Sequence, residues 1–133
     1  MFIDRLLNQG PSPVLEQMLH FTEARQELIA DNIANVSTPD YRQKDLSVET
    51  FQQALRDRIE QQQFAGPGSV RFDDINSEIE NPRAGILFHD GNNRSMEQLM
   101  TANAKNALMH NLVVELLRRQ YQTMDMALKE RVS

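Results

Sequence analysis

The chain has no cysteine, which excludes disulfides, thiol nucleophiles and thiolate metal sites and makes it indifferent to the redox state of its compartment. It has no tryptophan either, and hydrophobic residues make up 40% of it, against about 45–50% in ordinary soluble domains, so a thick globular core is not expected. Nowhere do about 18 apolar residues run together, and no membrane-spanning helix is expected. The opening Met1-Phe2-Ile3-Asp4-Arg5-Leu6-Leu7 is too short and too charged for a cleavable signal, with Gly10-Pro11 following at once. A protein of this kind that leaves the cytoplasm needs another export machine.

Basic residues number 14 against 19 acidic ones, a net charge of −5, which offers no concentrated surface to a phosphate backbone and argues against nucleic acid. Glycines stand only at 10, 66, 68, 85 and 91, without the spacing of a phosphate cradle, so no nucleotide or other cofactor is expected. The three histidines, His20, His89 and His110, do not form a site: His20 and Glu23 make one reversed i, i+3 pair with no second pair beside it, so no metal is expected. Nothing places a nucleophile near His89, and catalysis is not expected. Asn35-Val36-Ser37 and Asn93-Arg94-Ser95 fit the glycosylation pattern but read better as a helix end and a helix cap.

What the chain does have is helical periodicity at both ends. Leu15, Leu19, Thr22, Gln26, Ile29, Ile33 and Val36 recur at four and three residues, widened by Val14, Met18, Phe21 and Leu28. Ser12-Pro13 reads as the start, a cap followed by proline at the first helical position, and Ser37-Thr38-Pro39-Asp40-Tyr41 reads as the stop. At the other end Ser95-Met96-Glu97-Gln98 has the form of a capping box. Beyond it Met96, Met100, Asn103, Ala107, His110, Val114, Leu117, Tyr121, Met124 and Leu128 keep the same alternation. A helix from Met96 to Arg131 would be roughly 50 Å long.

Between these ends, Val48, Phe51, Leu55 and Ile59 predict a short helix after Ser47 that frays into Gln61-Gln62-Gln63 and stops at Ala65-Gly66-Pro67-Gly68. Asn81-Pro82 and Asp90-Gly91-Asn92-Asn93 are turn chemistry, and Gly85 to His89 reads as a short strand or a tucked segment. The expected architecture is mainly α, one domain over 1–133. A helix over 12–36 and another over 95–131 form an antiparallel hairpin or coiled coil. The middle, 37–94, holds a short helix near 47–62 and irregular or short β structure. Each stripe is wider than one partner helix covers, which favours assembly. Asparagines 32, 35, 103, 106 and 111 either fix helix register or face solvent.

The run Leu28-Ile29-Ala30-Asp31-Asn32-Ile33-Ala34-Asn35-Val36-Ser37-Thr38-Pro39-Asp40-Tyr41-Arg42 closely resembles the N-terminal signature of bacterial flagellar rod and hook proteins. Asp90-Gly91-Asn92-Asn93, Met96-Glu97, Met100 and Asn106-Ala107-Leu108, with the short length, resemble the proximal rod members. The resemblance covers both ends and leaves 43–83 without specific support. One departure is Asp40, where the family has Gly at the third position of a turn that calls for positive φ if it is type II.

The resemblance implies a structural, non-enzymatic subunit of the basal-body proximal rod, passing torque from motor ring to hook. It implies export by the flagellar type III apparatus without a cleaved signal, and assembly in the periplasm. The implied partners are other copies of the chain, FlgC-like rod proteins, a FliE-like adaptor, the membrane ring and the export gate, with no small-molecule substrate. Leu15, Met18, Leu19, Ile29 and Ile33 are expected to face Val114, Leu117, Tyr121, Met124 and Leu128 as the assembly surface. Asn32, Asn35, Thr38, Pro39, Asp40 and Tyr41 are expected to shape the helix end and turn. Two alternatives come from other classes: a cytosolic helical-bundle adaptor or chaperone of type III export, and a helical metal-binding enzyme. Phe51 and Leu55 have a spacing found in export signals, and a short core helix has the same one.

Overall fold

The computed structural model describes residues 12–65, 87–89 and 95–132. In chain order these form α1 (Ser12–Ala34), β1 (Lys44–Leu46), α2 (Val48–Ala65), β2 (Leu87–His89) and α3 (Met96–Val132). The breaker run 66–68, Asn81-Pro82, the Asp90-to-Asn93 turn and the N-terminal segment lie outside the described residues. Mainly helical architecture is as expected.

Each helix begins and ends for a local reason. At α3, Ser95 N–H donates to Gln98 Oε1 (3.1 Å) and Gln98 N–H donates to Ser95 Oγ (3.3 Å), the reciprocal capping box. At α2, Thr50 N–H donates to Ser47 Oγ (3.2 Å), the same capping chemistry on one side only. At α1 the expectation fails: Ser12 is already helical and its hydroxyl makes no hydrogen bond, so it does not act as the cap. The glutamines 61–63 do not fray but carry α2 on to Ala65, since Gln is a good helix former and no breaker intervenes before Gly66.

The end of α1 is built by side chains. Asn35 donates from Nδ2 (2.9 Å) and from its backbone N–H (3.0 Å) to Asp31 O, occupying a carbonyl the helix leaves free. Thr38 then bonds Asn35 twice, N–H to O at 3.0 Å and hydroxyl to Oδ1 at 3.2 Å. Tyr41 N–H closes the next turn on Thr38 O (3.4 Å), with Pro39 second and Asp40 third at φ 60°. A positive φ at the third position is the type II geometry, which glycine adopts freely and an L-residue adopts at about 1 kcal/mol.

That turn delivers β1, which the sequence did not predict. β1 pairs antiparallel with β2 in the register Lys44↔His89, Asp45↔Phe88, Leu46↔Leu87. Of the segment 85–89, read as a short strand or a tucked segment, Leu87–His89 is strand, and Gly85 and Ile86 lie outside the described residues. Two side chains of α1 hold β1 in place. Buried Asn32 mimics a strand partner, donating to Lys44 O (2.6 Å) and accepting from Lys44 N–H (3.0 Å). Arg25 grips Asp45 in a fork, Nε to Oδ1 at 2.9 Å and Nη2 to Oδ2 at 3.2 Å, while Asp45 Oδ1 also accepts Leu46 N–H (2.8 Å). With the Asp45 side chain only 4% exposed, the bidentate geometry offsets the desolvation of a buried carboxylate.

The core has two parts sharing α1. On one side Phe21, Leu46, Phe51 and Leu55 pack together, the Phe21 and Phe51 rings stacked 4.1 Å apart at 13°. On the other, Leu15 packs with Val113 and Leu117 of α3, and Met18 touches both clusters.

Along the α1–α3 seam, Glu16 meets Tyr121, Thr22 meets His110, and Gln26 meets Asn103, so partners on α3 recede as α1 advances. The buried residues of α3 are Leu99, Asn106, Val113, Leu117 and Met124, separated by seven and four. This is a seam one residue away from half of the expected stripe: Met96, Met100, Ala107 and Tyr121 are exposed, whereas Asn103, His110, Leu117 and Met124 lie along it. Apolar side chains flank the seam on both sides, so periodicity alone could not centre it. Its middle is polar: Asn106 Nδ2 donates to Thr22 O (2.9 Å) and Gln26 Oε1 (3.1 Å), and Gln26 Nε2 donates to Asn103 Oδ1. Thr22 Oγ1 lies 3.1 Å from His110 Nδ1. Matching amides specify one register at some cost in stability.

Two outcomes test these local arguments. Asp40→Gly is expected to stabilise the fold by about 0.5–1 kcal/mol, read as a raised urea midpoint at unchanged slope. Asn106→Leu is expected to raise stability by about 1 kcal/mol while broadening the set of α1–α3 cysteine cross-links, because the polar registry is gone.

Candidate assembly surface

Each side chain expected at an assembly surface can now be placed. Leu15, Ile29, Asn32, Leu117 and Met124 are buried at 9% exposure or less, enclosed within the chain itself. Met18, Leu19, Ile33, Asn35, Val114 and Leu128 are half-buried, Tyr121 is exposed, and Thr38, Pro39 and Asp40 are exposed with Tyr41 half-buried beside them. The expected facing set needs correcting in one respect. Ile29 and Ile33 lie beyond Gln26, whose partner is Asn103, so they sit toward the start of α3 and do not oppose Val114 to Leu128.

Four of the expected residues converge. Leu19, Val114, Leu117 and Tyr121 line an apolar hollow of about 510 Å³ beside the seam, edged by Arg118, Gln122 and Asp125. Tyr121 spans the seam there, its hydroxyl donating to Glu16 Oε1 at 2.9 Å. That bond, then partial burial and the nearby carboxylate charge, raise the Tyr121 phenol above its ordinary value of 10.0.

On the other side of the α1–α3 seam lies a larger groove of about 810 Å³, lined by α1, α2 and the middle of α3. Val14, Phe21, Phe51, Leu55 and Ile59 make it apolar, and Arg56, Lys105 and Glu60 add charge. The sequence reading missed this groove, because it depends on how α2 leans against α1.

It also missed a third feature that the spacing did carry. Leu108, Leu112 and Leu116 follow one another at i, i+4 on α3, exposed at 71%, 55% and 40%. A helix that is apolar on its seam and again on its outer face is a helix with more than one neighbour to satisfy. The free face of α1 is the reverse: His20, Glu23, Glu27 and Asp31 are all exposed, a solvated and mostly acidic stripe.

Among the described residues, no group of three His, Cys, Asp or Glu side chains could hold a metal ion. No helix among them is long and apolar enough to cross a membrane. The surface is one of apolar hollows and ridges with scattered charge, suited to packing.

The comparisons with known proteins agree in kind. The chain is 27% identical over 120 residues to the flagellar basal body rod protein FlgB of Bacillus subtilis, covering 89% of this chain and 92% of that protein. It is 21% identical over 115 residues to the FlgB of Borreliella burgdorferi, covering 79% of this chain and 85% of the relative. The chain is thus similar to two FlgB rod proteins over most of its length. No family model matches it, and no solved structure does. The similarity to FlgB spans nearly the whole chain, so it includes α2 and the segments around it as well as the terminal helices. Both relatives are named as rod proteins of the flagellar basal body.

The Tyr121–Glu16 contact can be checked directly, because the chain has only two tyrosines. In Tyr41→Phe, where Tyr121 alone reports, tyrosinate absorbance is expected to appear above pH 10.0, and Glu16→Gln is expected to lower that midpoint. The fold favours the neutral phenol, so this contact's stabilisation is present below pH 10.0 and is lost as pH rises through the raised value.

Proposed function

We propose that this chain is a structural subunit of the proximal rod, assembling with other copies and with neighbouring rod proteins into a helical tube that carries torque from the motor ring toward the hook. The observation that carries this reading is the near full-length similarity to FlgB rod proteins. The apolar surface left uncovered beside the α1–α3 seam supports it.

In this reading α1 and α3 are an antiparallel, coiled-coil-like hairpin. Its seam holds each subunit together, and its flanks, with Leu19, Val114 and Tyr121 on one side, meet the next subunit. A long helix pair joined along its length resists bending and twisting better than either helix alone. FlgC-like and FliE-like proteins are the expected neighbours, and the subunit reaches the periplasm through the type III apparatus. The role is mechanical and needs no catalytic residue or cofactor.

The test separates assembly from folding. In the bacterium of origin, deleting the gene is expected to abolish swimming and leave basal bodies without a rod. Restoring the wild-type chain is expected to place it in purified basal bodies. Val114→Asp alters a half-buried flank, whereas Leu117→Asp would bury a charge in the seam itself. The Val114 variant is expected to keep its helicity by circular dichroism and fail to restore swimming. Normal swimming in the deletion strain would overturn the reading.

A further inference from the structure

One hydroxyl in the middle of the α1–α3 seam has two partners and a single proton to place between them. Thr22 is 1% exposed, and its Oγ1 donates to Leu19 O at 2.9 Å while lying 3.1 Å from His110 Nδ1. Bonding back to a carbonyl one turn earlier is an ordinary use of a helical threonine's proton. A hydroxyl carries one hydrogen and two lone pairs, so an oxygen that has given its hydrogen to Leu19 can only accept from His110. The hydrogen that bridges the two helices then sits on Nδ1. A neutral imidazole has one N–H, which leaves Nε2 with the lone pair.

We propose that the seam holds His110 in its Nδ1–H tautomer, and that this makes the Thr22–His110 contact indifferent to protonation of the ring. Acid adds its proton at Nε2, away from the contact. Both nitrogens of an imidazolium are donors, so Nδ1–H goes on donating to Thr22. The other tautomer would behave in the opposite way: Nδ1 would accept the threonine hydrogen, and a proton added there would set two donors against each other. The direction of one hydrogen bond therefore decides whether this histidine is a latch or a switch, and the Leu19 carbonyl sets that direction.

The surroundings suit a ring that can take up charge. His110 is half-buried, so an added proton is not carried into a dry interior. Its neighbours one turn away on α3, Asn106, Ala107, Val113 and Val114, are uncharged. On α1, Leu19 and Gln26 stand one turn to either side of Thr22, and Glu23 follows it with an exposed carboxylate. Arg25 and Lys105 line the groove on the other flank of the seam. The latch also has a second tie, because Thr22 O accepts Asn106 Nδ2 at 2.9 Å, one turn before His110. Thr22 is thus fastened to α3 at two successive turns, and a slip of one residue would break both. The inference concerns the single chain and does not rest on the rod-subunit reading.

Nitrogen-15 NMR on the full-length chain tests it. The chain has three histidines, and the spectrum of His110→Asn identifies which ring signals belong to His110. At alkaline pH, long-range proton–nitrogen correlations are expected to show Nδ1–H exceeding Nε2–H at His110 by about tenfold, the ratio that one net hydrogen bond supplies. Thr22→Val removes the acceptor and is expected to abolish that preference, whereas Thr22→Ser keeps the hydroxyl and is expected to retain it. As the pH is lowered through the titration of the ring, the Hδ1 signal and its through-space contact with Thr22 are expected to persist.

A wild-type ring that is mainly Nε2–H would overturn the proposal. So would a preference unchanged in Thr22→Val, or an Hδ1 contact with Thr22 that disappears as the ring takes up its proton. Should Thr22→Val lose its helicity by circular dichroism, the wild-type ratio and the acid titration decide the matter without it.

Discussion

The structure depends on α1 being shared. Its 23 residues face two cores at once, α3 through Leu15, Thr22 and Gln26 and the β1–α2 unit through Phe21, Arg25 and Asn32, with Met18 touching both clusters. Its outer stripe of His20, Glu23, Glu27 and Asp31 is left for water. Without α1 neither core closes, because α2 and α3 meet only along the groove, where Lys105, Asn106 and Met109 form one wall. A helix buried on two sides is held in rotation as well as in position. That is why the amides of the seam can set the register of α3 while Asn32 sets the register of β1.

The residues that carry the resemblance to rod and hook proteins make a corner. Asn32 pins the incoming strand, Asn35 closes the helix, and Thr38 to Tyr41 reverses the chain. Each uses the chemistry its type is suited to. The two asparagines present an amide that imitates a peptide unit, Pro39 presets φ, and Asp40 takes the left-handed conformation that a glycine would take more easily. A run of this kind can therefore carry no reaction and still be specific, because few combinations of short polar side chains satisfy so many backbone groups in so few residues.

The sequence revealed what is local and hid what is distant. The Ser95–Gln98 capping box, the helix end at Asn35 and the Pro39 turn lie within four residues of their partners, and each was legible from residue types alone. The Arg25–Asp45 fork joins positions twenty apart, and β1 is three residues long with one charged side chain pointing inward, so neither left a periodic trace. The α3 seam was legible in part. Asn103, His110, Leu117 and Met124 fall on it, while the companion row at Leu99, Asn106 and Val113 was displaced by one residue in the sequence reading. Apolar residues on both flanks of that seam are what blurred it, and those flanks are the material of the candidate surface. The groove could not be seen at all, since it arises from the lean of α2 on α1.

The blurred seam and the assembly reading therefore have one physical cause. A helix whose apolar residues occupied only its seam would have been centred correctly from periodicity, and would have had nothing left with which to bind another copy. α3 instead runs 37 residues, about 55 Å, against an α1 of about 35 Å, and keeps Leu108, Leu112 and Leu116 exposed on the face away from its partner. Such a face is a liability in solution, and the net charge of −5 offsets it by keeping copies apart at distances beyond contact. That repulsion is screened within about 10 Å at ordinary ionic strength, whereas apolar packing acts only at contact. On the assembly reading, copies join according to how well their apolar faces pack once they touch.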